Sequence, residues 1–268
     1  MSEVRFKEKD THGRGGFAAA LRAEARKSAR GAPMRLAVLL ALPFPLLGGA
    51  LSGRFAGGSD LAFSAWNYYY VLLLPVTVVL VCVCVAAYDA RLKNHVLLSC
   101  GVPLARMWVA KVLWCLALAL LGNMVVWALY TVGSAMTPKS VSVTSMLAAA
   151  LACTLATAWM IPTTLFLTNA AGKLAGIFVP LFLQLAGEFT WSLVPAWPAL
   201  PPAAAIILPS AFLPVLPTGE PASAAPQDLL DKVGSFGPEQ AVACVVCAAV
   251  FVLLAVVTAA WFARSEEL

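Results

Sequence analysis

The residues able to do chemistry in this chain are few, and most of them crowd one short stretch. In YDARLKNHVLLSCGVPLARMWVAK, between Tyr88 and Lys111, stand Asp89, Arg91, Lys93, His95, Arg106 and Lys111. Elsewhere Glu188, in LAGEFTWS, sits toward one end of an apolar run. A carboxylate at membrane depth is costly and is a functional-site candidate by default. Glu188 could meet a cationic peptide or line a water-filled vestibule; it could equally be hydrated near the interface, or accept a hydrogen bond from Thr190 or a neighbouring helix. Asn123 and Gln184 lie in apolar runs too, where an amide either bridges helices or contacts a substrate. Only two histidines, His12 and His95, occur. No HExxH, no pair of intramembrane acids and no Ser/His/Asp set can be assembled, so neither a hydrolase nor a metal site is expected. Cys244-Val-Val-Cys247 has CxxC spacing, but it has no second pair and no nearby histidine, and it reads as small buried side chains.

The setting of these residues follows from composition. The chain has 268 residues, 61% hydrophobic and 12% charged, against roughly 25% charged in soluble domains. So much apolar surface cannot be hidden in one water-soluble core of this length. An all-α polytopic membrane protein is expected. The net charge of +5 is then a topology signal, and no nucleic-acid partner is implied. The first 33 residues are charged and lack an apolar h-region, so the first span is expected to act as an uncleaved signal.

A helix crosses the hydrocarbon core of ~30 Å with about 20 residues. Six runs qualify: Leu36–Ser52, with Pro43 and Pro45; Trp66–Ala87; Leu104–Val132; Val143–Thr168, where Pro162 predicts a kink; Leu174–Val194; and Ala241–Ala263. With the N-terminus inside, 15 of the 18 Lys and Arg residues fall on the cytosolic side. Only Arg54, Lys139 and Lys232 fall outside. The bias of basic residues toward the cytosol therefore predicts cytosolic N- and C-termini. Trp66, Tyr68, Tyr69 and Tyr70 read as an interfacial aromatic anchor at the outer end of span two, with an aromatic ligand cage as the alternative.

Three segments lie between or before the spans. Residues 1–33 form a cytosolic tail ending in a helix over 17–30, with Phe17, Leu21 and Ala25 on one stripe and Arg22, Arg26 and Arg30 on another; such a helix suits the inner leaflet, with its cations at anionic headgroups. The remainder, 34–268, is one transmembrane domain. Within it, 195–238 is a long extracytoplasmic connection holding ten of the 18 prolines. Its apolar part, Ala199–Leu216, is too interrupted by proline to span, and irregular backbone at membrane depth must be covered by protein or face a cavity. A re-entrant or interfacial hairpin between spans five and six is expected. On the cytosolic side, Asp89 to Ser99 predicts a short helix stopped by Cys100-Gly101-Val102-Pro103, with Arg106 and Lys111 snorkelling to the membrane face. Topology explains its cations, but apolar Val96-Leu97-Leu98 in a cytosolic turn asks for a protein surface.

The order of a tyrosine and acid leaving span two, an Asn, an apolar LLS, a Pro and small residue before Arg, then AK entering span three resembles the cytosolic motif of type-2 ABC exporter permeases. LRAEARKSARGAPMRLAVLLALPFPL resembles their opening helix and Pro-containing first span. Within that superfamily the chain most resembles the lantibiotic-immunity permeases, and Pro217–Pro221, PTGEP, resembles a PNG-like element in their outer loop. Asp89 stands where those proteins usually have Glu, His95 where Thr is usual and Gly101 where Pro is common, and the Arg-to-Lys spacing is shorter. The resemblance implies a permease that expels antimicrobial peptides, paired with a second permease in a homo- or heterodimer and driven by a cytosolic ABC ATPase. It makes Asp89–Ser99 the coupling element: Asp89, Arg91, Lys93 and His95 as polar contacts, Val96 and Leu97 as apolar anchors, Arg106 flanking them. No GxxxxGK[ST] phosphate loop occurs in the chain, so ATP and Mg would be held by the partner ATPase and no cofactor by this chain. The bacterial plasma membrane is the implied location, and lipid a further partner. A drug or lipid cargo, or an ATPase-independent scaffold or secondary transporter, are the alternatives.

Overall fold

The computed structural model describes residues 16–29, 31–52, 58–90, 103–134, 141–224 and 234–264. Five helical segments in it are long and apolar enough to cross a membrane: Ala32–Ala50, Ala62–Tyr88, Leu104–Ser134, Val143–Ala170 and Pro238–Arg264. No β-strand occurs among the described residues; Val215 and Pro221 form an isolated antiparallel bridge. This is the architecture of a helical multi-pass membrane protein.

Helix α1, Phe17–Ser28, forms where the sequence predicts it, but it is docked on protein. It packs against the long third segment through Glu24 and Ser28, which are buried, while Phe17 is exposed. Lys27 Nζ closes a 2.8 Å ion pair with Glu24 one turn back. Gly31 then turns the chain into α2, Ala32–Leu39, and α3, Pro43–Ser52. The two are separate because Pro43 offers no N–H to the preceding turn and restarts the helix.

The second segment contains α4, Gly58–Tyr68, a π turn at Tyr69–Leu73, and α5, Leu74–Ala90. Its aromatics depart from expectation. Trp66, Tyr69 and Tyr70 are buried in the bundle core, and only Tyr68 is exposed. Trp66 stacks on Tyr130 with ring centroids 4.4 Å apart, and Phe63 stacks on both. The rings fill the interior instead of forming a belt, because α4 and the π turn are flanked by α3, α10 (defined below) and neighbouring helices.

Helix α6, Leu104–Ser134, is continuous over 31 residues. The fourth segment breaks into α7, Val143–Thr157, and α8, Met160–Ala170. The break has the cause expected of Pro162: a proline ring clashes with the carbonyl four residues back, here Ala158. The Ala158 carbonyl instead accepts from Ile161 N at 3.0 Å in a tighter turn. Ser142 caps α7 by accepting from Ser145 N at 3.1 Å. Hydroxyls inside the helices donate back to carbonyls one turn earlier, as from Thr154 to Ala150, Thr157 to Cys153 and Thr258 to Leu254. That satisfies these three hydroxyl protons where water is absent, whereas the buried hydroxyls of Ser28, Tyr69 and Thr164 have no partner.

Helix α9, Lys173–Phe189, covers the fifth expected span. Its 17 residues reach roughly 26 Å at the usual rise. Its sidedness is inverted relative to a soluble amphipathic helix. Leu174 and Phe182 are each 71% exposed, whereas Gly176, Pro180, Gln184 and Glu188 face inward. Polar inside and apolar outside is the arrangement a lipid solvent selects.

The connection after α9 runs through short turns, Trp191–Leu193 and Trp197–Ala199, into α10, Pro201–Ser210. Every residue from Ala203 to Ser210 is buried, and α10 packs against α7, α9 and the last helix, α11, Pro238–Arg264. The chain then doubles back at a tight turn over Leu216–Glu220. Cys247 of α11 packs as a small apolar side chain among Ala152, Ala156, Ala204, Ala205, Leu208 and Ala243. On its other side α11 is bare: Val245, Leu253 and Val256 are more than three-fifths exposed.

Candidate functional site

The helices alternate in direction, which gives the bundle two ends. At the α1 end lie the start of α2, the end of α5, the starts of α6 and α9 and the end of α11. A Cβ on Gly31 would collide with the Tyr88 hydroxyl, which puts the α1–α2 turn beside the end of α5. All eight described Lys and Arg residues belong to this end: Arg22, Arg26, Lys27, Arg35, Arg106, Lys111, Lys173 and Arg264. Arg106 is exposed; Lys111 is buried at 4%, so it does not snorkel as expected. Asp89 lies in the last turn of α5; its side chain, together with Arg91, Lys93, His95, Val96 and Leu97, lies outside the described residues, as does the predicted Asp89–Ser99 helix beyond Ala90.

At the far end, the interior contains a chain of polar side chains. Trp159, at the break between α7 and α8, donates its Nε1–H to Gln184 Oε1 at 2.9 Å. Gln184 donates Nε2–H to Glu188 Oε1 at 2.8 Å, one turn further along α9. Glu188 is 1% exposed, and its second oxygen, Oε2, has no hydrogen-bond partner. Thr190 does not serve it; that hydroxyl donates to Ala186 O at 2.7 Å. Gln184 thus ties α9 to the helix break. Asn123 makes a comparable tie between α6 and α7, donating to Thr154 Oγ1 at 3.0 Å and to Ala119 O at 3.2 Å.

Glu188 lies in the wall of a pocket of about 340 Å³ together with Asn67, Tyr68, Trp191, Pro217 and Thr218. These five come from three pieces of chain: α4, the turn after α9, and the tight turn of the long connection. Asn67 holds that turn. Its Nδ2 donates to Tyr70 Oη at 2.6 Å and approaches the carbonyls of Leu216 and Pro217 at 3.2 and 3.3 Å. The turn requires Gly219, whose φ of +88° is a left-handed conformation that a side chain disfavours, and a Cβ there would press on Asn67 Oδ1 at 3.1 Å. So PTGEP is a hairpin tip clamped into the bundle by an amide from α4. The π turn Tyr69–Leu73 lends Val71 and Leu72 to the same pocket.

Glu188 is the sequence-selected residue that lines this pocket. Gln184 positions it from behind, and Asn123 stands apart on α6. Sequence reasoning reaches Tyr68 only as part of an aromatic anchor or cage, and it does not reach Asn67, Trp191 or Thr218. An amide inside WNYYY was a usable signal for Asn67, since polar side chains at membrane depth need partners. The partners of Thr218 and Trp191 depend on how the long connection folds back, which no spacing rule encodes. Among the described residues no group of three or more His, Cys, Asp and Glu side chains could hold a metal ion. No protein-family model, curated protein or solved structure matches the chain.

Proposed function

We propose that this chain is the transmembrane permease subunit of an ATP-driven exporter in a bacterial plasma membrane, with both termini in the cytosol and α9 as a sixth, short span. Its cargo is an amphipathic antimicrobial peptide of the lantibiotic type, and export of that peptide confers self-immunity. Two permeases and two ATPases form the working unit. The α10 segment and the turn after it form the re-entrant hairpin on the outer side.

The observation that carries this reading is the contrast between the bundle's ends. One gathers the described cations and the α1 helix, as a cytosolic face should. The other holds a pocket with a buried carboxylate, suited to receiving something positively charged from the membrane or the exterior. The 88–111 stretch supplies the link to an ATPase: a charged bend with apolar Val96 and Leu97, joined to two core helices, α5 and α6, through which force can reach the bundle.

Co-purification with the cognate ATPase tests the reading. Changing Asp89 and Leu97 together to alanine is expected to weaken the complex by about ten-fold or more, as loss of an interface anchor does. An undiminished complex sinks the coupling assignment. A wild-type chain that retains no ATPase at all favours a scaffold or a secondary transporter. Glu188→Gln is expected to lower peptide tolerance of cells while leaving ATPase association intact.

A further inference from the structure

We propose that the pocket beside Glu188 recognises an alkylammonium group, with the Glu188 carboxylate as counter-ion and the rings of Tyr68 and Trp191 as its walls. The proposal rests on the permease reading for the origin of its ligand, but it stands on four observations of its own.

The first is the carboxylate. Glu188 is 1% exposed, Gln184 satisfies Oε1, and Oε2 is left without a donor in the wall of a cavity. A buried carboxylate oxygen lacking a partner is expensive, and a ligand bearing N–H groups and positive charge removes that cost. The second is the lining. Apart from Asn67, Glu188 and Thr218 the walls are apolar or aromatic, and Tyr68 and Trp191 both contribute. Aromatic faces attract ammonium groups, the more so when water is excluded. The Asn67 amide is already engaged with the turn, which leaves Glu188 as the charged determinant. About 340 Å³ admits an ammonium headgroup with its first few methylenes, at the lower end of small-ligand pockets.

The third is the field. By the topology expected from the sequence, the segments on this side carry six acidic residues, Asp60, Glu188, Glu220, Asp228, Asp231 and Glu239, against three basic ones, Arg54, Lys139 and Lys232. An entering cation therefore meets complementary potential. The fourth is the π turn Tyr69–Leu73 in the pocket wall. Such single-turn insertions break the regular ladder and concentrate at functional sites.

Two sources present this chemistry: the lysine side chain of a peptide and the ethanolamine headgroup of a lipid. The test uses the full chain in nanodiscs of phosphatidylglycerol, which has no ammonium group. The probe is an N-acetylated amphipathic peptide with a single lysine; the control is the same peptide with that lysine acetylated. Binding to discs without protein is subtracted. The lysine peptide is expected to bind the wild type about ten-fold more tightly than the control. Glu188→Gln should abolish the difference. Tyr68→Leu, at a half-exposed position outside the core, should shrink it about three-fold and decides the matter if the Gln variant fails to fold. Equal affinity for the two peptides, or a preference untouched by both substitutions, overturns the proposal. Adding phosphatidylethanolamine to the discs separates the sources: competition with the peptide identifies the lipid headgroup, and unchanged peptide affinity identifies the peptide. ATPase co-purification is scored separately. A lost preference with an intact ATPase complex refutes the pocket alone, and the converse refutes the permease reading alone.

Discussion

The α1 end and the Glu188 end of the bundle differ in charge, in packing and in how they meet the rest of the chain. At the first, cations are spread over the helix termini, and α1 lies against α6 with Glu24 buried and paired to Lys27. At the second, the interior is sealed by aromatic rings, α10 is buried from Ala203 to Ser210, and one carboxylate oxygen is left without a donor. The first carries most of its charge on the outside of the helix ends. The second is built like a plug around a small, mostly apolar chamber with one carboxylate in its wall. Charged groups on a surface act through a screened field, whereas one carboxylate enclosed among rings acts at short range on whatever enters.

The sharpest way to break this comparison is topological. A single cysteine at Lys93 should be labelled by an impermeant reagent only from the cytosolic side, and one at Thr218, which is exposed, only from the exterior. The expected outcome is all or none, and labelling of both from one side destroys the assignment of opposite ends. Next comes the packing. Trp66→Ala removes a ring stacked on Tyr130 at 4.4 Å and should cost about 3–5 kcal/mol, as for large aromatic truncations in cores. Thermal unfolding in detergent reads it, and a change near zero would mean that the far end is not close-packed. Asn67→Ala frees the carbonyls of Leu216 and Pro217 and should cost about 1–3 kcal/mol. Proteolysis within the 195–238 connection should rise with it; an unchanged digestion pattern would show that the turn is held by other means. The smallest expected effect belongs to Gly219→Ala, which forces a side chain into a left-handed conformation at about 1–2 kcal/mol. It should lower the midpoint of unfolding while leaving α1 and its neighbours untouched.

Much of this fold was legible from the sequence, for reasons that name themselves. The runs Leu104–Val132 and Ala241–Ala263 became α6 and α11 with ends shifted by a few residues, because unbroken apolar stretches of that length have no other stable form in lipid. Pro162 announced the break between α7 and α8 through the missing donor and the clash it imposes. The prolines of 199–216 ruled out a span there, and α10 is short and buried accordingly. The aromatic cluster was misread. Belt and core place the same residue types near the same helix end, and only the packing of α3 and α6 around α4 separates them. The stripe Phe17, Leu21 and Ala25 predicted the helix but only part of its docked face: Leu21 and Ala25 are half-buried and Phe17 is exposed, while the contact centres on Glu24 and Ser28; pairing of Glu24 with the partly exposed Lys27 makes a polar face compatible with contact.

The site divides in the same way. Glu188 was visible as soon as the apolar run around it was recognised, since charge in such a run is rare and costly. Gln184 lies one helical turn before Glu188, so their pairing was within reach of helix spacing, but the supporting donor Trp159 and the clamp of Asn67 on the 216–217 carbonyls join residues 25 and 149–150 positions apart. No local periodicity carries that information. Composition and the pattern of breakers determined by themselves that the chain is a bundle of apolar helices with a basic end, because solvent and backbone hydrogen bonding leave few options for such a sequence. Which side chains converge on the chamber at the other end was decided only when the long connection folded back between the helices, since convergence depends on distances in space that the order of residues does not contain.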